Sequence, residues 1–274
     1  MIQDGPIELA YIPSLLVQSP LPVRDPKATV FVRKAGNQEL SLTSKIGIPF
    51  GHIGRLTFAL AVTDALRNHS NRVELGTVSA WLRRLDQQAR GGERGSSTLV
   101  QNQFHRIGNT MISISGQRSV EEGTEKKQRN YIIADDLELF WGNRKVLSDV
   151  PTLFENYILF SPKFFEYVVN HAVPVDLSIY DNFQAPLAQD IYAWLAWKLH
   201  NLEEPLMLRW DQLEAQFADK KPGNRRDWRK RWLQAAVEVI ATGYSEARVL
   251  GSQEGIILHP SPRAIKVKET GFLF

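Results

Sequence analysis

Residues 220–243 read KKPGNRRDWRKRWLQAAVEVIATG, and this stretch decides the fold class that the sequence predicts. Asn224 is a favoured residue at the N-cap of a helix, and the carboxylate of Asp227 favours the positive end of the helix dipole. A helix should therefore begin near Arg225 and end at Gly243, because glycine is common just after a helix. At about 100° per residue, its apolar side chains share one face. They are Trp228, Trp232, Ala235, Ala236, Val239 and Ile240.

Two roles fit the rest of this helix surface, which is mostly cationic. The polar side chains on it or at its margins are Arg225, Arg226, Arg229, Lys230, Arg231 and Gln234. Arginine can bind guanine through two hydrogen bonds and glutamine can pair with adenine, so this set can attract DNA and also read bases. Alternatively, the charges only solvate the helix. A second helix predicted directly before it, over residues 211–217, completes a helix-turn-helix and favours DNA binding.

Length and composition predict a globular protein of one or two domains. The chain has 274 residues, of which 43% are hydrophobic and 23% charged, so it can bury a substantial core. There is neither a cationic start followed by an apolar segment nor an apolar run of about 18 residues, so we expect a cytoplasmic protein without membrane contact. Zero cysteines exclude disulfides and thiolate chemistry. The net charge of +3 is small, but residues 220–231 contain seven Lys or Arg.

The order of predicted elements is the same in both halves of the chain. In the first half, a strand hairpin precedes a helix over residues 53–69, a short strand, a second helix, a third helix over residues 96–109, and two strands. In the second half, a helix over residues 185–202 precedes a short strand, the helix at 211–217, the quoted helix and two strands. This order is typical of a winged helix. The sequence therefore predicts an α+β fold with two tandem winged-helix (helix-turn-helix) domains.

The predicted domain boundaries follow composition. Residues 1–27 contain five prolines without sustained periodicity, and the region at 142–156 is polar and rich in turn residues. We assign residues 1–29 to an extended N-terminal arm, 30–141 to the first winged-helix domain, 142–156 to a linker, 157–264 to the second winged-helix domain and 265–274 to a C-terminal tail.

Seven stretches together resemble one protein family. They are IPFGHIGRLTFALAVTDALRN, VELGTVSAWLRRL, LFSPKFFEYVVNHAVPVDLSIY, PLAQDIYAWLAWKL, WDQLEAQF, WRKRWLQAAVEV and ILHPSP, within residues 48–262. Their order and spacing resemble those of plasmid-encoded replication initiators of the RepA type, whose DNA-binding domains are winged helices. The resemblance implies binding to repeated duplex sites in a plasmid origin, opening of that origin and recruitment of host replication proteins. The loop at 90–95 departs from the family in lacking its usual Thr-Gly-Gly series.

The helix predicted over residues 96–109 is a second, less charged candidate for DNA binding. Its polar side includes Thr98, Gln101, Asn102, His105 and Arg106, and Arg90 and Arg94 stand in the loop before it. Cations in this loop suit phosphate contacts. The alternative is a polar surface that serves dimer contacts or no partner at all.

The sequence offers no catalytic site. The six histidines, at positions 52, 69, 105, 171, 200 and 259, never form the closely spaced pair with which rolling-circle initiators hold a metal. The phosphate loop G-x-x-x-x-G-K-[ST] is absent. Asp135–Asp136 is the one acidic pair in a plausible metal setting, and a turn feature explains it equally well. We therefore expect no catalysis, no cofactor and no metal.

These observations predict a non-enzymatic origin-binding protein. Its second domain should supply most base contacts, and its first should add backbone contacts or self-association. The expected partners are double-stranded plasmid origin DNA and the host replication initiator and helicase, and a homodimer is compatible with the sequence. Two alternatives stay open. One is a transcriptional repressor with the same fold, and the other is a protein-interaction module that binds no DNA.

Overall fold

The chain alternates between helices and short antiparallel strands. The computed structural model describes residues 8–85, 95–120, 123–139 and 156–265. The strands are β1 Leu9–Pro13, β2 Val30–Ala35, β3 Gln38–Ser44, β4 Arg72–Glu74, β5 Thr110–Val120, β6 Gly123–Ile132, β7 Ala134–Glu138, β8 Tyr157–Phe160, β9 Ala172–Asp176, β10 Leu206–Arg209, β11 Val249–Gly251 and β12 Gly255–Leu258. The helices are α1 Ser14–Gln18, α2 Gly51–Arg67, α3 Val78–Arg84, α4 Ser96–Gly108, α5 Pro162–His171, α6 Leu177–Asn182, α7 Pro186–Lys198, α8 Trp210–Phe217 and α9 Arg225–Thr242. The described residues combine helices with strands, in agreement with the coarser part of the predicted α+β class.

The described strands form four antiparallel sheets. Their strand orders are β2-β3-β5-β6, β4-β8-β7, β10-β12-β11 and β1-β9. The first sheet is built on the predicted hairpin, which turns at Gly36, a residue with φ of +59° that glycine adopts without strain. One face of this sheet is buried and the other is exposed, so burial alternates along β2.

The N-terminal segment differs from the extended arm predicted for residues 1–29. Residues 9–18 form β1 and α1, and β1 pairs with β9. The apolar side chains of this segment belong to the core: Ala10, Ile12, Leu15, Leu16, Val17 and Leu21 are buried. Prolines interrupt the periodicity of this segment, and the partner of β1 is the distant strand β9. The local sequence pattern therefore predicts neither the strand nor its pairing.

The two halves of the chain share a sheet. Strand β8, which follows the predicted linker, pairs with β4 and β7, which precede it. The linker itself falls outside the described residues except for Asn156, whose Nδ2 atom donates to the Gly76 carbonyl at 3.0 Å. The division into two domains therefore stays a prediction, and any boundary there must accommodate this pairing.

The second half has the predicted order of α7, β10, α8, α9 and the β11–β12 hairpin. A cluster of aromatic rings lies beneath α9. The indole of Trp232 contacts the rings of Trp194, Trp210 and Phe217 edge-on, with centroid distances of 6.5, 6.1 and 6.1 Å. These rings are buried, so Trp194 is a packing residue and no base can stack on it.

No helix in the described part of the chain combines the length and the apolar character needed to cross a bilayer.

Candidate nucleic-acid interface

The start of α9 is set by the N-cap that the sequence predicted. The Asn224 Oδ1 atom accepts a hydrogen bond from the backbone N–H of Asp227 at 3.2 Å, and the Asn224 Nδ2 atom donates to the Asp227 carboxylate at 2.8 Å. The helix consequently begins at Arg225 and ends at Thr242, as expected. Because this cap fixes where α9 begins, it also fixes where each cationic side chain lies along the helix.

The predicted buried face of α9 is confirmed. Trp232 and Val239 have no exposed surface, Trp228 is 7% exposed, and Ile240 is half-buried at the margin. On the opposite side, Arg225, Arg226, Lys230, Arg231 and Gln234 are exposed, and Arg229 is half-buried. The apolar contacts thus hold the helix while its cations face solvent.

Two of these cations are paired with α8. The Glu214 side chain is only 6% exposed, and its carboxylate lies 3.0 Å from Arg225 Nε and 3.8 Å from Arg229 Nε. The Arg229 guanidinium also lies over the Trp210 ring, at 5.5 Å from its centroid. These contacts tie the first two turns of α9 to the preceding helix, so Arg225 and Arg229 are less available to a ligand than the sequence suggested.

Three side chains on α9 form a row with no hydrogen bond or ion pair to any described residue: Arg226, Lys230 and Gln234. They are four residues apart, so they follow one line along the helix. Val237, three residues after Gln234, lies on the same face and is 65% exposed, and the exposed Glu238 is the next residue at the four-residue spacing. A row of two cations, an amide and an exposed methyl-bearing side chain can meet phosphates, base edges and a thymine methyl group.

The environment of this row is also cationic. Lys220 and Lys221 are exposed in the turn between α8 and α9. Arg231 is exposed, and its Nε atom makes only a long contact with the Asp227 carbonyl, at 3.4 Å. Since Glu214 lies beneath the surface against two other arginines, positive charge dominates what a ligand approaching α9 would meet.

Helix α4 presents a smaller polar surface than predicted. Asn102 and His105 are exposed together with Leu99, whereas Gln101 is half-buried and engaged in other contacts. Arg106 points elsewhere, since it donates to the Ile48 carbonyl at 2.9 Å and to the Asp25 carboxylate at 2.8 Å.

The hydrogen bond from Arg106 lowers the pKa of the Asp25 carboxyl. Arg106 thus holds two loops together, while Arg90 and Arg94 lie outside the described residues.

The acidic pair has a local explanation. The Asp136 carboxylate accepts a hydrogen bond from the Tyr157 hydroxyl at 2.6 Å and another from the Leu137 backbone N–H at 2.8 Å. The first of these bonds raises the pKa of Tyr157. Among the described residues, no group of three or more His, Asp or Glu is placed to hold a metal ion. Asp136 therefore serves the sheet in which β7 and β8 meet.

Three residues around this interface were not predicted from the sequence: Glu214, Arg33 and Asp219. Glu214 positions two arginines of α9. Arg33 and Asp219 form an ion pair that joins β2 to the end of α8, with 2.8 Å between Arg33 Nη2 and Asp219 Oδ1. For Arg33, a signal was present in the sequence. In the alternating strand Val30–Ala35, Arg33 has the same phase as the buried Phe31, so an inward-facing charge could have been anticipated.

A comparison with known families agrees with the resemblance found in the sequence. A family model described as plasmid encoded RepA protein matches residues 48–212, which is more than half of the chain. The chain therefore belongs to the plasmid RepA family, a family of plasmid replication proteins. The match begins before α2 and ends within α8, so α9 lies beyond it.

Two similar solved structures are remote from this chain in sequence. The chain is similar to the crystal structure of selenomethionine derivatives of domain 2 and domain 3 of RctB, with a TM-score of 0.55 and 11% identity over 93% of this chain and 99% of that chain. A second crystal structure of RctB domains 2-3 aligns with a TM-score of 0.49 and 12% identity over 89% of this chain and 94% of that chain. The first likeness shows a shared fold. No curated protein sequence matches this chain.

Proposed function

We propose that this chain initiates plasmid replication by binding specific repeated duplex sites at the origin, without catalysing a reaction itself. The observation that carries the proposal is the row of Arg226, Lys230 and Gln234 on α9, which has no partner in the described part of the chain and lies next to the short helix α8, in a chain of the plasmid RepA family. In a helix-turn-helix, the second helix enters the major groove and the first crosses the backbone. Helices α8 and α9 would take these two positions.

Different side chains in the row suit different parts of the DNA, because their chemistry differs. Arg226 can bind guanine through two hydrogen bonds, and Gln234 can pair with adenine. Lys230 is a compact charge suited to phosphate, as are Lys220 and Lys221 in the preceding turn. Sequence preference in the proposal therefore comes from Arg226 and Gln234, and most of the attraction comes from the lysines.

The first half of the chain has a smaller part in this proposal. Asn102 and His105 are the exposed polar side chains on α4, and they suit backbone contacts or self-association of the chain. Origin opening and recruitment of the host initiator and helicase would follow once the chain is bound. The similar solved structure comprises two domains of RctB, which supports a two-part architecture.

Salt dependence tests DNA binding directly. A duplex would first be selected by the chain from a random pool, and its affinity would then be measured by fluorescence anisotropy between about 50 and 200 mM salt. Each neutralised phosphate should contribute about −0.9 to the log-log slope, so five contacts would give about −4.5. A random-sequence duplex is the control and should bind more weakly at every salt concentration.

A flat salt response, or selection of no sequence, would contradict the proposal and favour a protein-interaction module. Permanganate footprinting of the origin with the host initiator present separates initiation from repression. Initiation predicts unpaired thymines at the origin, whereas a repressor would leave the duplex closed.

A further inference from the structure

Arg33 is a charged residue in an apolar position. It is 2% exposed and shares the inward side of β2 with Phe31. Taking a guanidinium out of water costs several kcal/mol unless its donors are paired. Burial lowers the pKa of Arg33 to about 10, so the guanidinium remains charged at neutral pH, and nearby Asp219 opposes the shift. A leucine or methionine would fill this position at less cost, so the charge calls for an explanation.

The partners of Arg33 lie in two segments, one shortly before β2 in sequence and one far after it. Its Nε atom donates to the Pro20 carbonyl at 2.6 Å and its Nη2 atom to the Leu21 carbonyl at 3.3 Å. On the other side, Nη1 donates to the Ala218 carbonyl at 2.9 Å and Nη2 to the Asp219 carboxylate at 2.8 Å. Ala218 is the C-cap of α8. One side chain thus joins the N-terminal segment to the exit of α8.

Asp219 closes the arrangement. It is the second residue of the turn that leads to α9, and its carboxylate also accepts hydrogen bonds from the backbone N–H groups of Val23 and Arg24, at 2.9 and 3.3 Å. Helix α8 is attached to the N-terminal segment at a further point, because the Gln216 Nε2 atom donates to the Gln18 carbonyl at 2.7 Å. The turn before α9 is therefore attached to residues 18–24 and to β2 at several points.

These contacts continue into the candidate interface. Helix α8 packs on β2 and carries Glu214, which holds Arg225 in the first turn of α9. A displacement of α8 relative to β2 would consequently move the start of α9. Base contacts tolerate displacements of only about 0.5 Å or 10–20°, whereas phosphate attraction depends mainly on the number of charges.

We propose that Arg33 is a positioning residue that sets the angle at which α9 meets DNA, and so determines sequence specificity more than overall affinity. The inference rests on the proposed function of α9. A residue on β2, in the first half of the chain, would thereby influence which bases α9 contacts in the second half.

The test compares specific with non-specific affinity in Arg33→Met. Methionine fills the space of the side chain, and Asp219 keeps its backbone partners and its 29% exposure, so no carboxylate is left buried and unpaired. The probes are the duplex selected by the unaltered chain and a random-sequence duplex of equal length. We expect the ratio of the two affinities to fall about tenfold or more, with binding to the random duplex changed by less than about twofold.

A second variant and a control keep the outcome decisive. Asp219→Asn breaks the same ion pair at a partly exposed position and should lower the ratio in the same direction. The control Arg55→Met/Asp190→Leu removes the buried pair between α2 and α7, whose Nε–Oδ1 distance is 2.7 Å. It also removes the hydrogen bonds of Arg55 to the Leu21 and Pro22 carbonyls, but it leaves the contacts of Arg33 and Asp219 with the exit of α8 in place. This double variant should keep the ratio within about twofold.

Three results would overturn the inference. An unchanged ratio in both Arg33→Met and Asp219→Asn would show that the anchor has no influence on reading. An equal loss of affinity for both duplexes would show a purely structural role. If the unaltered chain selects no duplex at all, the proposed function fails first, and this inference fails with it.

Discussion

Arg226 and Lys230 are the side chains on which DNA binding should depend most. Each is exposed and has no partner among the described residues, so replacement by alanine removes no internal contact. We expect Arg226→Ala to weaken binding to the selected duplex by about 1–3 kcal/mol and to relax the preference at one base pair. Lys230→Ala should weaken all duplexes similarly and reduce the salt slope by about one phosphate. Anisotropy titrations at several salt concentrations measure both effects.

Two controls separate this loss from damage to the fold. Lys163 is an exposed lysine on α5, and Lys163→Ala should leave DNA affinity unchanged. Trp232→Ala should instead cost about 3–5 kcal/mol of unfolding free energy, because it removes a fully buried ring. If Arg226→Ala and Lys230→Ala leave affinity intact while the protein stays folded, α9 is not the reading helix.

Individual residues also show where sequence analysis reaches its limit. The cations of α9 could be identified from spacing, but the pairing of Arg225 and Arg229 with Glu214 could not. Arg106 was grouped with the polar face of α4, yet its guanidinium lies against Asp25. In each case the partner belongs to another element, so its proximity depends on how elements pack and not on local pattern.

Helix α9 depends on its N-cap for the position of its first turn. Asn224→Ala removes the hydrogen bond to the Asp227 backbone N–H and should lower the free energy of unfolding by about 1 kcal/mol. Asn224→Ser keeps an acceptor for this bond without placing a second carboxylate beside Asp227, and it should retain most of the stability. Urea unfolding followed by circular dichroism measures both. Equal stability of the alanine variant and the unaltered chain would mean that packing alone, through Trp228 and Trp232, sets the start of the helix.

Elements with strong local signals could be predicted, and those without them could not. Helix α9 begins and ends where its cap and its terminal glycine indicate. Strand β1 was missed because its five residues, the last of which is a proline, are too few to show a clear periodicity, and because the partner strand β9 is distant. Similarly, β8 could be recognised as a strand, but its pairing with β4 and β7 is visible only once the chain is folded.

The two halves of the molecule should not fold independently. A fragment beginning at Tyr157 loses both sheet partners of β8 and the strand β1 that pairs with β9. It also leaves Asp190 without Arg55, and breaking such a buried pair costs about 3–5 kcal/mol. We therefore expect this fragment, and the complementary one ending at Trp141, to be unfolded alone and to recover structure when mixed.

Circular dichroism and proton NMR of each fragment and of the mixture measure this outcome. A variant of the fragment from Tyr157 with Asp190→Leu serves as a control, because it removes the unpaired charge but restores no sheet partner. The free energy of folding of this variant should be less unfavourable than that of the unaltered fragment, but the variant should still be incompletely folded. A well-dispersed spectrum from the unaltered fragment alone would contradict the expectation and support the independent second domain predicted from composition.

The amino-acid sequence alone was sufficient for the family, for the order of elements in the second half and for the cationic face of α9. These features depend on caps, on the helical period and on spacing, all of which act within a few residues. Only the tertiary structure showed that residues 9–21 are core, that Glu214 neutralises part of the cationic face and that Arg33 holds the turn before α9. Arg33 and Asp219 lie 186 positions apart, and Arg55 and Asp190 lie 135 apart. Contacts over such separations arise only when the whole chain packs, because burying a charge is tolerable only where folding brings its partner alongside.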